Sequence, residues 1–219
     1  MRRRAYGALR AVSIWLFALA ITPASAQAEK VLLAFGDSLT QGYGLEQGTG
    51  FVPVLEAWLR AQGEEVRVVN GGVSGDTTAG GAARIAWNLT PDIDAVIVAL
   101  GGNDLLRGLP PEAARENLGR ILTAIRARHL PVLLVGLPAP LNYGAQYKAA
   151  FDAIYPDLAR EFSIPLYPDF LAPLTAMGDR QQVLAQFMQP DATHPNAAGV
   201  RLIVEAMGPE ILKLLQDVQ

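Results

Sequence analysis

The feature that most constrains this chain is a series of short, continuous apolar runs, most of which stop at a glycine-bearing turn. Residues 31–35 stop at Gly36, residues 66–70 at Gly71-Gly72 and residues 95–100 at Gly101-Gly102. Residues 132–136 form a fourth run that ends near Pro138, and a weaker fifth covers 164–167. Runs rich in Val, Ile and Leu without polar alternation predict strands buried on both faces. The gaps carry apolar residues at helical spacing: Val54, Leu55, Trp58 and Leu59 within 51–62, and Leu118, Ile121, Leu122 and Ile125 within 111–128. The same spacing places Ile154, Leu158 and Phe162 within 146–162, and Val200, Ile203, Val204, Met207 and Ile211 within 197–215. Gly208-Pro209 predicts a kink in that last helix. Strands alternating with helices predict an α/β chain, a parallel sheet of about five strands covered on both faces. In such sheets the binding crevice lies beyond the carboxyl ends of the strands. There the first three strands run into Gly36-Asp37-Ser38, Asn70-Gly71-Gly72 and Gly101-Gly102-Asn103-Asp104, so three polar turns converge on one edge.

The 219 residues suit one domain, and 51% hydrophobic against 18% charged content allows a substantial core. The amino-terminus departs from the rest. Arg2, Arg3 and Arg4 precede an apolar run over 11–20, then Pro23 and the small-residue stretch Ala24-Ser25-Ala26-Gln27-Ala28. These are the three regions of a secretory signal peptide, with cleavage after Ala26 or Ala28. The alternative, an uncleaved membrane anchor, suits the run less well, because a spanning helix needs roughly 20 apolar residues. The expected organisation is therefore a signal peptide over 1–26, one domain over 27–219, and a periplasmic or secreted location with no stable membrane span. Loss of four arginines and no acids takes the net charge from −3 to −7. No basic stripe remains for a nucleic acid. With no cysteine, neither a disulfide framework nor a thiolate metal site can form. Two histidines, His129 and His194, all but exclude a multi-histidine metal site.

The polar turns hold the residue types needed for acyl transfer. A serine becomes a nucleophile at neutral pH when a base takes its proton and a third group orients the base. Ser38 follows the first strand, where its hydroxyl reaches the crevice; a helix N-cap is the other role open to it. The candidate base is His194, in Asp191-Ala192-Thr193-His194-Pro195-Asn196. Pro195 keeps this stretch out of helical geometry, and Asn196 can cap the helix that follows. Asp191, three residues earlier, can fold back onto Nδ1 and leave Nε2 for Ser38, although Asp-x-x-His also occurs in plain surface turns. His129 lies at a helix end and reads as a solvated cap. Gly75 can offer a backbone N–H, and Asn103 a side-chain amide, to a tetrahedral oxyanion. An ordinary turn glycine and an Asx-turn are the other readings of these two residues.

Taken in order, Gly36-Asp37-Ser38-Leu39, Gly75, Gly101-Gly102-Asn103-Asp104 and the Asp191/His194 pair resemble the blocks of the SGNH (GDSL) hydrolase family. A closer resemblance is to the bacterial periplasmic multifunctional esterases, the thioesterase I, lysophospholipase L1 and arylesterase group. Val73-Ser74-Gly75-Asp76-Thr77, Asn142-Tyr143-Gly144 and Ala153-Ile154-Tyr155-Pro156 carry this closer resemblance. It implies a flavodoxin-like three-layer α/β/α sandwich, with Ser38, Asp191 and His194 catalytic. It also implies an oxyanion hole from the Ser38 and Gly75 amides and the Asn103 side chain. A mobile loop near 104–111 and an acyl groove beside Leu137, Pro138 and Leu141 are further implications. Pro140-Leu141 lengthens the stretch that precedes Asn142 in that group. Thr40, two residues after Ser38, departs from the G-x-S-x-G elbow of the larger α/β-hydrolases. The expected activity is hydrolysis of small-molecule or lipid-like acyl esters or thioesters through an acyl-Ser38 intermediate, a reaction that calls for no metal or organic cofactor. A carbohydrate O-acetylesterase and a non-catalytic lipid-binding protein are the rival readings.

Overall fold

A computed structural model describes residues 28–218, and the signal segment read in residues 1–26 lies outside the described residues. The apolar runs form the strands β1 (Lys30–Gly36), β2 (Val66–Gly72), β3 (Ala95–Ala99), β4 (Val132–Val135) and β5 (Leu166–Tyr167). Helices α1 (Ser38–Gln41) and α2 (Phe51–Ala61) follow β1, and α3 (Thr78–Asn88) follows β2. Helices α4 (Gly102–Leu106) and α5 (Pro111–Ala127) follow β3; a 3-10 turn over Leu141–Tyr143 and α6 (Ala145–Phe162) follow β4. After β5 come α7 (Ala172–Thr175), α8 (Arg180–Phe187) and α9 (Ala197–Gln216).

The strands pair in parallel in the order β2-β1-β3-β4-β5, the flavodoxin-like order. Alternation along β1 separates two cores. Leu33 and Phe35 pack with Ile85 of α3, Ile121 and Ile125 of α5 and Phe151 of α6. Leu32 and Ala34 pack with Leu55 and Leu59 of α2 and Ile203 and Met207 of α9. All four of these β1 residues have 0% exposure. That explains why the run shows no polar alternation: each face meets a layer of helices, and burying each large apolar side chain is worth about 1.5–3 kcal/mol. The fold is a three-layer α/β/α sandwich.

Three local features go beyond the sequence reading. Helix α3 has no clear apolar stripe, because its buried positions are Thr78, Gly81 and Ile85; small residues hide the period. Helix α9 carries Gly208-Pro209 in its interior, and the absent Cβ of Gly208 leaves room for the Trp58 ring of α2, which an added Cβ would meet at 2.5 Å. Strand β5 has two residues, pairing Leu166 with Leu134 and Tyr167 with Val135.

The sheet order reverses between β1 and β3, so a crevice opens at their carboxyl ends. Gly36 pairs with both Gly72 and Ala99, which brings the turns after β1, β2 and β3 side by side. Helix α1 crosses the end of β2 closely: a Cβ on Gly72 would stand 2.3 Å from the Gln41 backbone nitrogen and 2.8 Å from the Asp37 carbonyl oxygen. Both obstacles are backbone, so neither can swing aside. Gly72→Ala should therefore cost about 1–3 kcal/mol and displace α1. Thermal unfolding should show a midpoint lowered by about 2–4 °C per kcal/mol lost. A parental midpoint would show that α1 has room to move.

Candidate active site

Ser38 is the first residue of α1, and the N-cap is Asp37, whose carboxylate accepts from the Leu39 N–H at 3.1 Å. Asp37 takes the capping role open to Ser38 in the sequence, and the serine side chain remains available to the crevice. Its Oγ lies 2.8 Å from His194 Nε2, 156 residues away in the chain. His194 Nδ1 lies 2.6 Å from Asp191 Oδ2. Asp191 Oδ1 also accepts from the backbone N–H groups of Thr193 at 2.9 Å and His194 at 3.0 Å. The His194 backbone N–H is the main reason the Asp191 carboxyl is held down at about 2, with partial burial pulling the other way. An ionised Asp191 only accepts, so Nδ1 carries the imidazole proton and the Nε2 lone pair faces the serine hydroxyl.

The short loop that presents His194 is fastened at several points. Ala192 adopts φ +56°, a left-handed conformation costing roughly 1–2 kcal/mol, which folds Asp191 back toward the histidine. Gln189 N–H donates to the His194 carbonyl at 2.8 Å, and Gln189 Nε2 donates to the Tyr43 carbonyl at 2.8 Å. The Tyr43 ring flanks the imidazole at 4.9 Å between centroids. Asn196 caps α9 by accepting from Ala198 and Gly199 at 2.9 and 3.1 Å. His129, in contrast, is exposed beyond the end of α5 and precedes β4, so it lies at the opposite edge of the sheet.

Ser38, Gly75 and Asn103 all line the cleft, and each carries an N–H group. The Ser38 N–H belongs to the first turn of α1, where no intrahelical partner exists. Gly75 adopts φ +80°, and its carbonyl is held by Arg107 Nη2 at 2.8 Å. Asn103 Nδ2 donates one proton to the Asp76 carbonyl at 2.9 Å; an amide has two, so one remains. Asp104 fastens α4 to α3. It is buried, and its two oxygens accept from the Thr78 N–H and Oγ1–H at 2.8 and 2.7 Å.

A cleft of about 550 Å³ opens from Ser38 and His194. Leu39, Leu105, Leu106, Leu137, Pro138, Pro140 and Leu171 give it an apolar wall. Asp152 and Lys148 of α6 pin this wall by bonding the Ala139 N–H and carbonyl, each at 2.7 Å. Leu137 and Pro138 are where the sequence reading put them. Leu141 is not: it sits in the 3-10 turn, is 66% exposed and does not line the cleft, whereas its neighbours Pro140 and Asn142 do. The turn points Leu141 to solvent, which apolar character alone does not reveal. Leu105 and Leu106 were missed, although an apolar pair directly after Asn103-Asp104 is a readable signal. Leu171 and Tyr43 carried none.

The residues from β1 to α9 match one family model. The chain belongs to the GDSL-like lipase/acylhydrolase family, which matches residues 34–202. It is an ester hydrolase of the SGNH type. Among its relatives, Esterase TesA of Pseudomonas aeruginosa is 38% identical over 189 residues, covering 86% of this chain and 90% of that protein. The thioesterase 1/protease 1/lysophospholipase L1 of Escherichia coli is 36% identical over 203 residues, covering 92% of each. The crystal structure of AlinE4, an SGNH-hydrolase family esterase, superposes with a TM-score of 0.69 at 46% identity, covering 87% of this chain and 99% of that one. The psychrotrophic esterase EstA from Pseudoalteromonas sp., inhibited by monoethylphosphonate, superposes at 0.77 with 28% identity, covering 86% and 100%.

Asp37 is 4% exposed and forms no ion pair among the described residues. Burial pushes its carboxyl up from 3.8 to about 6, against the Leu39 N–H and the charge of His194, which pull it down. The folded state therefore holds this proton more tightly than the unfolded chain. Stability from this group falls as pH rises from about 4 to about 6, by on the order of 3 kcal/mol in all. Asp37→Asn keeps a capping oxygen and removes the ionisation. Its stability relative to the parent, measured by urea unfolding, should improve by that amount between pH 4 and pH 8. A difference that does not vary with pH would contradict the raised carboxyl.

Proposed function

We propose that this protein is an exported serine hydrolase that cleaves carboxylic esters and thioesters of acyl chains through an acyl-Ser38 intermediate. The observation that carries this reading is the unbroken hydrogen-bonded line Asp191–His194–Ser38 opening onto an apolar cleft. His194 Nε2 takes the Ser38 proton as Oγ attacks the carbonyl carbon. The oxyanion is received by the Ser38 and Gly75 N–H groups and the remaining amide proton of Asn103. His194 then protonates the leaving alcohol or thiol, and the acyl group stays on Ser38. A water enters, loses its proton to His194, and releases the carboxylic acid as Ser38 recovers its proton. Asp191 stays ionised throughout and stabilises the imidazolium formed in each half-reaction. The wall of Leu105, Leu137, Pro138 and Leu171 favours an acyl chain over a polar sugar, because it offers the substrate almost no hydrogen-bond partners. The names of the relatives support esters and thioesters alike, and the amino-terminal segment supports export.

Purified protein should hydrolyse p-nitrophenyl esters. Ser38→Ala should abolish turnover, and activity surviving in that variant would sink the assignment. Asn103→Ala should lower kcat by about 10²–10³ with a modest change in KM. A substrate panel of butyryl, octanoyl and palmitoyl esters, an acyl-CoA, a lysophospholipid and an acetylated sugar tests the acyl preference. Rising kcat/KM with chain length supports it, whereas the highest value on the acetylated sugar would replace it with a carbohydrate O-acetylesterase.

A further inference from the structure

Arg84 lies behind the site, on α3, and touches neither the cleft nor any member of the Asp191–His194–Ser38 line. Its guanidinium nevertheless ends in three bonds of one purpose. Nη2 donates to the Gly36 carbonyl at 2.8 Å, two residues before Ser38. Nη1 donates to the Gly71 carbonyl at 2.8 Å, at the end of β2. Nε donates to Asp76 Oδ2 at 2.6 Å, one residue after Gly75, and the carbonyl of that same Asp76 holds the Asn103 amide at 2.9 Å. The guanidinium also stacks over the Phe35 ring at 4.1 Å. Arg84 and Asp76 are mostly withdrawn from solvent, with side chains 20% and 14% exposed. A planar fork with fixed donor directions sets distances between its acceptors in a way that a lysine ammonium does not.

From this geometry we infer that Arg84 is the positioning residue of the oxyanion hole, holding the Ser38, Gly75 and Asn103 donors in register from the side opposite the substrate. Each donor lies within two residues of an Arg84 acceptor or hangs directly on one. The inference rests on the reading of the site proposed above, and it assigns Arg84 no contact with substrate. Small losses of alignment at such donors are felt in the transition state and not in ground-state binding.

The test is steady-state hydrolysis of p-nitrophenyl butyrate by Arg84→Lys, Asn103→Ala and the double variant, with circular dichroism to verify folding. Arg84→Lys should lower kcat by about 10–100-fold, with KM within about twofold of the parent. The pH profile of kcat/KM should keep its shape, because the Asp191–His194 pair is untouched. In the Asn103→Ala background the same substitution should cost distinctly less, since one of the donors it aligns is already gone. Asp76→Asn, which weakens the link from its other end and leaves Arg84 on Phe35, should lower kcat in the same direction and serves if Arg84→Lys does not fold. Parental kcat in a folded Arg84→Lys or Asp76→Asn protein, a loss expressed in KM alone, or full additivity with Asn103→Ala would overturn the assignment. Ser38→Ala separates the two levels of the argument. Turnover in Ser38→Ala removes the reading of the site. An inactive Ser38→Ala beside a fully active Arg84→Lys removes only the role of Arg84.

Discussion

The site depends on the parallel register that pairs Gly36 with both Gly72 and Ala99. Parallel pairing puts the carboxyl ends of β1, β2 and β3 at one edge, and the reversal of strand order between β1 and β3 opens the space above them. Ser38, Gly75 and Asn103 all lie just beyond those ends. Nothing in any single turn brings them together. What does so is the hydrophobic energy of a sheet covered on both faces, which leaves the paired strands no freedom to slip without moving buried side chains such as Leu33 and Phe35 into the wrong layer.

Upon that frame the site combines two kinds of interaction. The Asp191–His194 pair is local: three residues apart, closed by a left-handed Ala192 and by two backbone N–H bonds to the carboxylate. The bond from His194 to Ser38 joins the two ends of the fold. Its partners hang on the first and the last strongly held elements, β1 and α9, so its 2.8 Å length depends on the packing of both against the sheet. Two charged groups nearby are satisfied in layers. Asp104 closes on Thr78, and Arg84 closes on Gly36, Gly71 and Asp76. Asp37 departs from this pattern, as a buried carboxyl without a cation among the described residues, and burial raises it accordingly. Its position as the cap of the four-residue α1 accounts for its retention there: the short helix needs an acceptor at that point, and the helix carries Ser38.

Much of this was legible in the residues. The strands β1, β3 and β4 announce themselves because two-sided burial excludes polar residues from them, whereas the edge strand β2 is marked by Val66, Val68 and Val69 although Arg67 and Asn70 are exposed. Helices α2, α5, α6 and α9 do so because one-sided burial imposes a helical period. The turns after β1, β2 and β3 could be placed at one edge from the parallel direction of the strands alone. Helix α3 was not legible, since its contacts are made by Thr78 and Gly81, residues too small to mark a stripe. The cleft wall was read only in part. Leu137 and Pro138 line it, but Leu141 faces solvent, and Leu171 joins the wall from a distant segment. Side-chain direction in an irregular segment is set by backbone dihedrals and by neighbours far along the chain, and apolar character records neither.

The sequence by itself determined that this chain alternates buried strands with amphipathic helices, that its polar turns hold Ser38, His194 with Asp191 at hydrogen-bonding spacing, Gly75 and Asn103, and that these are the residue types of acyl transfer. Those facts are local, written in periodicity and in spacing of a few residues. Only the tertiary structure decided that Asp37 and not Ser38 caps α1, that His194 Nε2 reaches Ser38 across 156 residues, and that Arg84 of α3 ties together Gly36, Gly71 and Asp76. Each of these is a distance between segments that the chain brings together by burying its apolar faces, and such a distance has no counterpart in the order of the residues.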